Sequence, residues 1–110
     1  MEELNELNKL YDELYKTVKQ AKKYGIKKAE AEYDYKVVLR QESLKLRLKE
    51  MPVTMIDKVV YGEEEVAKKR KERDIAESDY HVELELINIL KKRANLLETL
   101  IKLDFGGRND

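Results

Sequence analysis

The sequence predicts an all-α fold: two long antiparallel helices joined by a short helical connector, self-associating into a helical bundle or coiled coil. Charged residues make up 42% of the chain and aromatic residues only 7%, a balance typical of long helices and coiled coils. One proline and four glycines leave few places for a helix to stop. In both halves the apolar residues recur at alternating spacings of three and four, the period of a helix with one buried face. A chain of 110 residues makes one domain at most, and its core is thin. The expected layout is a single hairpin domain over 1–104, with a helix over 2–50, a connector over 51–62 and a helix over 63–104, followed by a disordered tail over 105–110.

In the first helix, Leu4, Leu7, Tyr11, Leu14, Val18 and Ala21 form the opening stripe. Near Gly25 the pattern steps sideways to Ile26, Tyr33, Val37, Leu44, Leu48 and Met51. Either the helix breaks there or it continues with a stutter. Continuation is favoured because Ala21, Gly25 and Ala29 stand four apart on one face, where small side chains let another backbone come close; a glycine stop is the rival reading. The run Leu44 to Leu48 alternates like a strand but is too short to outweigh its helical flanks.

Pro52 ends this helix, because a proline disfavours helical geometry in the residue before it. Thr54 with Asp57 three residues later approximates a capping box for a short turn that Gly62 closes. Glu63, Glu64 and Glu65 then supply the acidic first turn favoured by the dipole of a new helix.

In the second helix, Val66, Ala76, Tyr80, Leu84, Ile87, Leu90, Ala94, Leu97 and Ile101 follow a heptad-like track. Ile75, Val82, Ile89, Leu96 and Leu103 lie seven apart on another side, reinforced by Leu86 and Leu100. One neighbouring helix cannot cover both faces. The seven aliphatic residues of the second face are each worth roughly 1.5 to 3 kcal/mol on full burial, and a second copy is their simplest cover. Ile75, Val82, Leu86, Ile89, Leu96, Leu100 and Leu103 are therefore the expected oligomer interface, giving a dimer or a higher assembly.

No enzyme is expected. His81 is the lone histidine; Glu77 and Glu85 stand four residues to either side, but Asp74, Asn88 and Lys92 mark that side of the helix as a solvated face, so no metal or cofactor is assigned. With no cysteine, nucleophile candidates reduce to Ser43 and Ser78, neither with a supporting base. Gly106-Gly107 lacks the lysine and serine of a phosphate loop.

Lysine plus arginine equals aspartate plus glutamate at 23 each, so the overall positive charge of a nucleic-acid binder is missing. Lys16, Lys19, Lys23 and Lys27 nevertheless form a ridge, with Tyr15 and Tyr24 beside it, that suits nucleic-acid contact. A second basic cluster runs through Lys68, Lys69, Arg70, Lys71 and Arg73. Acidic runs flank both, and nucleic acid is possible but not the favoured partner. No segment has the apolar length of a membrane span, and Met1-Glu2-Glu3-Leu4 lacks the order of a signal peptide, so a cytoplasmic protein without membrane contact is expected.

The chain also resembles a family. Ala29-Glu30-Ala31-Glu32-Tyr33, then Met51-Pro52-Val53-Thr54, Gly62-Glu63-Glu64-Glu65-Val66 and Arg73-Asp74-Ile75-Ala76-Glu77 leading to Tyr80, resemble a group of small helical proteins. That group is encoded among the early genes, near recombination and replication functions, of phages and prophages of Gram-positive bacteria. The resemblance implies expression in the cytoplasm of a bacterial host cell and transfers no catalytic residue. The expected function is that of a homo-oligomeric accessory protein engaging a phage or host protein. The alternatives are a DNA-binding factor of phage recombination or replication, and an inhibitor of a bacterial defence system.

Overall fold

A computed structural model of the chain describes residues 2–108, with side chains described through 106. All the regular structure among these residues is helical: α1 spans Glu2–Leu48, α2 Val53–Val59, a 3₁₀ turn Val60–Gly62 and α3 Glu64–Arg108. α1 runs unbroken through Gly25, whose φ is not positive. Residues 105 to 108, expected in a disordered tail, instead continue α3, while the expectation for 109 and 110 lies outside the described residues. Two glycines lower helix propensity there without forbidding the conformation.

α1 ends two residues earlier than expected, and by a different device. Glu50 adopts φ 64°, its N–H donates to the Arg47 carbonyl at 3.0 Å, and the Met51 N–H reaches the Leu46 carbonyl at 3.2 Å. This is a Schellman ending with glutamate in the left-handed place usually held by glycine, and buried Leu46 and Met51 join the same apolar cluster beneath it. Pro52 then starts α2. Its carbonyl accepts the Met55 and Ile56 N–H groups at 2.9 and 3.0 Å. No side-chain cap bond forms, so the expected box of Thr54 and Asp57 is not made: Val53 is already helical, which puts Thr54 inside the first turn. Gly62 closes the 3₁₀ turn without left-handed geometry. Glu63, extended at φ −63° and ψ 136°, caps α3 by accepting the Ala67 N–H at 2.9 Å, and Glu64 and Glu65 occupy the first turn.

The chain forms two compact units. The connector unit comprises Tyr24–Tyr80, and the terminal unit Met1–Lys23 with His81–Asp110. In the connector unit, Tyr35 and Leu46 from α1, Ile56 from α2, Val60 from the 3₁₀ turn and Val66 from α3 make one core. Val66 is fully buried at 0% exposure. On α1 of this unit Tyr35 is buried and Tyr24, Lys28, Ala31, Val38 and Glu42 are half-buried. On α3 Val66 is buried and Lys69, Arg73, Ala76 and Tyr80 are half-buried, with Arg73 over the Tyr35 ring and Lys28 over that of Tyr80. The Tyr80 ring sits where a Cβ on Gly25 would meet it at 3.4 Å, so the small residues accommodate a side chain and not, as expected, a backbone.

In the terminal unit, Leu7, Leu10, Leu90, Ala94 and Leu97 form the core, with Leu14 and Ile101 against it. Thr17 is buried too, its hydroxyl donating to the Glu13 carbonyl at 2.8 Å, which removes the cost of a polar group in a seam. The inward line on α1 is thus buried Leu7, Leu10, Thr17 and Ala21 with half-buried Leu14, while Leu4, Tyr11 and Val18 of the expected stripe are exposed. In the connector unit the second expected row fares similarly: Ile26, Tyr33, Leu44 and Leu48 are exposed. No stutter is needed, because the intervals of three and four continue through polar residues such as Lys28. On α3 the expected track holds except at Leu84, which is exposed, with Glu83 half-buried beside it.

Candidate interaction face

The residues expected to form an oligomer interface are all exposed in the single chain. Ile75 belongs to the connector unit; Val82, Leu86, Ile89, Leu96, Leu100 and Leu103 belong to the terminal unit. On an α-helix these six lie on one side, turned about 110° from the buried stripe of Ile87, Leu90, Ala94 and Leu97. The six range from 37% exposed at Leu86 to 67% at Leu103. With α1 alone beside α3 in this unit, nothing else among the described residues covers them.

One charge interrupts the face. Arg93 stands between Ile89 and Leu96, and its guanidinium donates to the Glu6 carboxylate of α1 at 3.0 Å. The face therefore carries no unpaired cation at its middle. At its edge lie Glu85 and Lys92, seven residues apart and both exposed. Arg93 is what the sequence reading missed; the only signal was its place in the intervals of three and four between Ile89 and Leu96. On α1 of the same unit, Leu4, Tyr11 and Val18 form a second exposed line, and the Tyr11 hydroxyl donates to the Glu98 carboxylate.

The lysine ridge is exposed as well. Lys16, Lys19 and Lys23 lie in the terminal unit and Lys27 in the connector unit. Lys19 lies 4.6 Å from the centre of the Tyr15 ring and Lys27 5.7 Å from that of Tyr24, so two of the four cations rest on their own helix. The second basic cluster is more deeply engaged in the fold. Arg73 stacks 4.4 Å from buried Tyr35 and bonds Asp74 at 2.9 Å, a hydrogen bond that holds its guanidinium above the usual pKa. Lys69 bonds Glu72 at 3.1 Å and is raised for the same reason. Arg70 lies 5.9 Å from the Tyr61 ring, in an open cleft of about 490 Å³ that Lys71, Asp74 and Ile75 also line.

Among the described residues no group of three or more histidine, cysteine, aspartate or glutamate side chains is placed to hold a metal ion. Ser43 donates to the Leu39 carbonyl at 2.7 Å, a backbone bond within its own helix. No described helix is long and apolar enough to cross a membrane. Compared with known proteins, the chain matches no family model, no curated protein and no solved structure.

Proposed function

We propose that this chain is a non-enzymatic, self-associating protein that works by protein–protein contact, with the exposed face of α3 in the terminal unit as the surface on which copies meet. The observation that carries the reading is the exposure of Val82, Leu86, Ile89, Leu96, Leu100 and Leu103 in one row, broken by Arg93 alone, which is paired with Glu6. Isolated apolar side chains on a surface are ordinary, but a continuous aliphatic strip marks an interaction site. Two helix pairs meeting on such strips make a four-helix arrangement with coiled-coil packing. The remaining surfaces are open to a phage or host protein, and the resemblance to phage and prophage early-region proteins supports an accessory role in a bacterial cytoplasm.

Light scattering on the purified chain at micromolar concentration tests it, with a dimeric or larger mass expected. Ile89→Asp should shift the mass to that of a monomer while helicity by circular dichroism is kept, because Ile89 is half exposed in the single chain. A monomeric parent chain would end the proposal. The second reading, nucleic-acid contact through Lys16, Lys19, Lys23 and Lys27, is favoured only by their shared exposure. It predicts a salt-dependent mobility shift with DNA that Lys16→Glu with Lys23→Glu abolishes.

A further inference from the structure

We infer that the connector unit carries a docking groove for an acidic amphipathic helix of a partner protein, with Arg40 and Arg47 taking two of its carboxylates and an aliphatic side chain between those acids filling the groove. This names a surface and a partner chemistry for the proposed protein contact, and it does not depend on copies meeting along α3. Arg40, Leu44 and Arg47 of α1 form one wall of a groove of about 180 Å³, and Val53, Ile56 and Asp57 of α2 form the other. Their spacings of three and four put each trio on one side of its helix. Ile56 is buried, whereas Leu44 and Val53 remain exposed and apolar.

The arginines decide what fits. Arg70, Arg73 and Arg93 each have a partner within the chain: the Tyr61 ring, Asp74 with the Tyr35 ring, and Glu6. Arg40 and Arg47 are exposed and make no ion pair, hydrogen bond or ring contact among the described residues, yet both border the same groove. The negative end of the helix dipole accounts for Arg47, in the last turn of α1, but not for Arg40 seven residues earlier. A guanidinium offers a planar fork that matches a carboxylate. Seven residues of helix separate the two arginines by about 10.5 Å along the axis, which is also the separation of positions i and i+7 on a partner helix. Leu44 then meets the partner's i+3 position in an antiparallel alignment and its i+4 position in a parallel one. An extended peptide covers the same distance in about three residues, which puts its two acids on opposite faces. Sites for small molecules hold about 300 to 1,000 Å³, so this groove has room for a side chain and not for a cofactor. A polyanion fits it poorly too, because Asp57 repels phosphates and no aromatic ring lines the groove for bases to stack on.

The probe is a fluorescein-labelled helix of about 20 residues, long enough to be helical alone, with Glu-x-x-Leu-Leu-x-x-Glu set in alanine and glutamine. That motif reads alike in both directions. Fluorescence anisotropy at low salt should show saturable binding to the full-length chain, weakened about tenfold when both glutamates become glutamine or both leucines alanine. Arg40→Glu with Arg47→Glu should abolish this binding and create binding to the Lys-x-x-Leu-Leu-x-x-Lys peptide. Helicity by circular dichroism should be unchanged, because both arginines are exposed. Phosphatidylserine vesicles and a single-stranded oligonucleotide are the rival probes. Tighter binding of either one than of the peptide, dependent on the same two arginines, overturns the assignment to a protein helix. A parent chain that does not bind the glutamate peptide, or a double variant that still does, overturns the groove and leaves self-association standing. A chain that is monomeric by light scattering and binds the peptide supports the groove and ends only the self-association reading.

Discussion

The connector unit and the terminal unit use the same two helices and solve burial differently. In the connector unit, Ile56 of α2 and Val60 of the 3₁₀ turn join Tyr35, Leu46 and Val66, so two further short elements close over the end of the helix pair. Farther along that pair the seam becomes aromatic and basic, with Arg73 over Tyr35 and Lys28 5.3 Å from the centre of the Tyr80 ring. The terminal unit has only two helices, and its core is leucine and alanine: Leu7, Leu10, Leu90, Ala94 and Leu97. Two helices share one seam, so any apolar residue outside it stays in water. Four elements can enclose a valine completely; two leave a strip of six aliphatic residues for another molecule. The difference separates what the chain stabilises by itself from what it leaves available.

The largest expected effect tests the enclosed end. Val66→Asp places a carboxylate where nothing solvates it, and more than about 4 kcal/mol should be lost. Native-state hydrogen exchange should show protection collapsing around α2 and the start of α3 while amides near Leu7 and Leu90 stay protected. Uniform loss along both helices would mean that the two units do not differ as cores.

Leu90→Ala tests the other core, where Leu90 is 5% exposed, and should cost about 2 to 4 kcal/mol in urea unfolding. If copies meet on the neighbouring face, part of that loss should diminish as protein concentration rises, because association stabilises the folded state by mass action. Concentration should not alter the cost of Val66→Asp in the same way. A smaller effect sharpens the aromatic seam. Gly25→Ala should raise stability by up to about 1 kcal/mol, because alanine is the better helix former and its Cβ meets the Tyr80 ring at ordinary contact distance. Gly25→Leu should instead displace that ring and lower the melting temperature.

The extents of the helices were readable from local chemistry. The proline at 52, the glutamates opening α3 and the apolar track of α3 all act within a few residues of where they stand, and the helix boundaries fall within two residues of expectation except at the tail. The seam of α1 was not readable in this way. Leu4, Tyr11 and Val18 are as apolar as Leu7, Leu14 and Ala21, and periodicity alone could not tell which line turns inward. Thr17 looks polar in a sequence, yet its hydroxyl is satisfied by the carbonyl of Glu13 one turn earlier. Lys28 and Arg73 look like solvated charges, but tyrosine rings give them a place in the helix contact. The candidate face was legible residue by residue, since seven-residue spacing marks it, whereas Arg93 at its centre and its bond to Glu6 were not.

By itself the sequence determined that this protein is helical, where its helices begin and end to within two residues except at the far end of α3, and that α3 carries more apolar surface than one neighbour hides. Those properties follow from backbone propensity and from spacing along a single helix, which are local. Only the tertiary structure decided which line of α1 is buried, that a glutamate closes the first helix, and that a tyrosine ring lies over Gly25. Each of these depends on groups far apart in the chain or on how buried polar atoms find partners, and burial is a property of the packed pair, not of either helix alone.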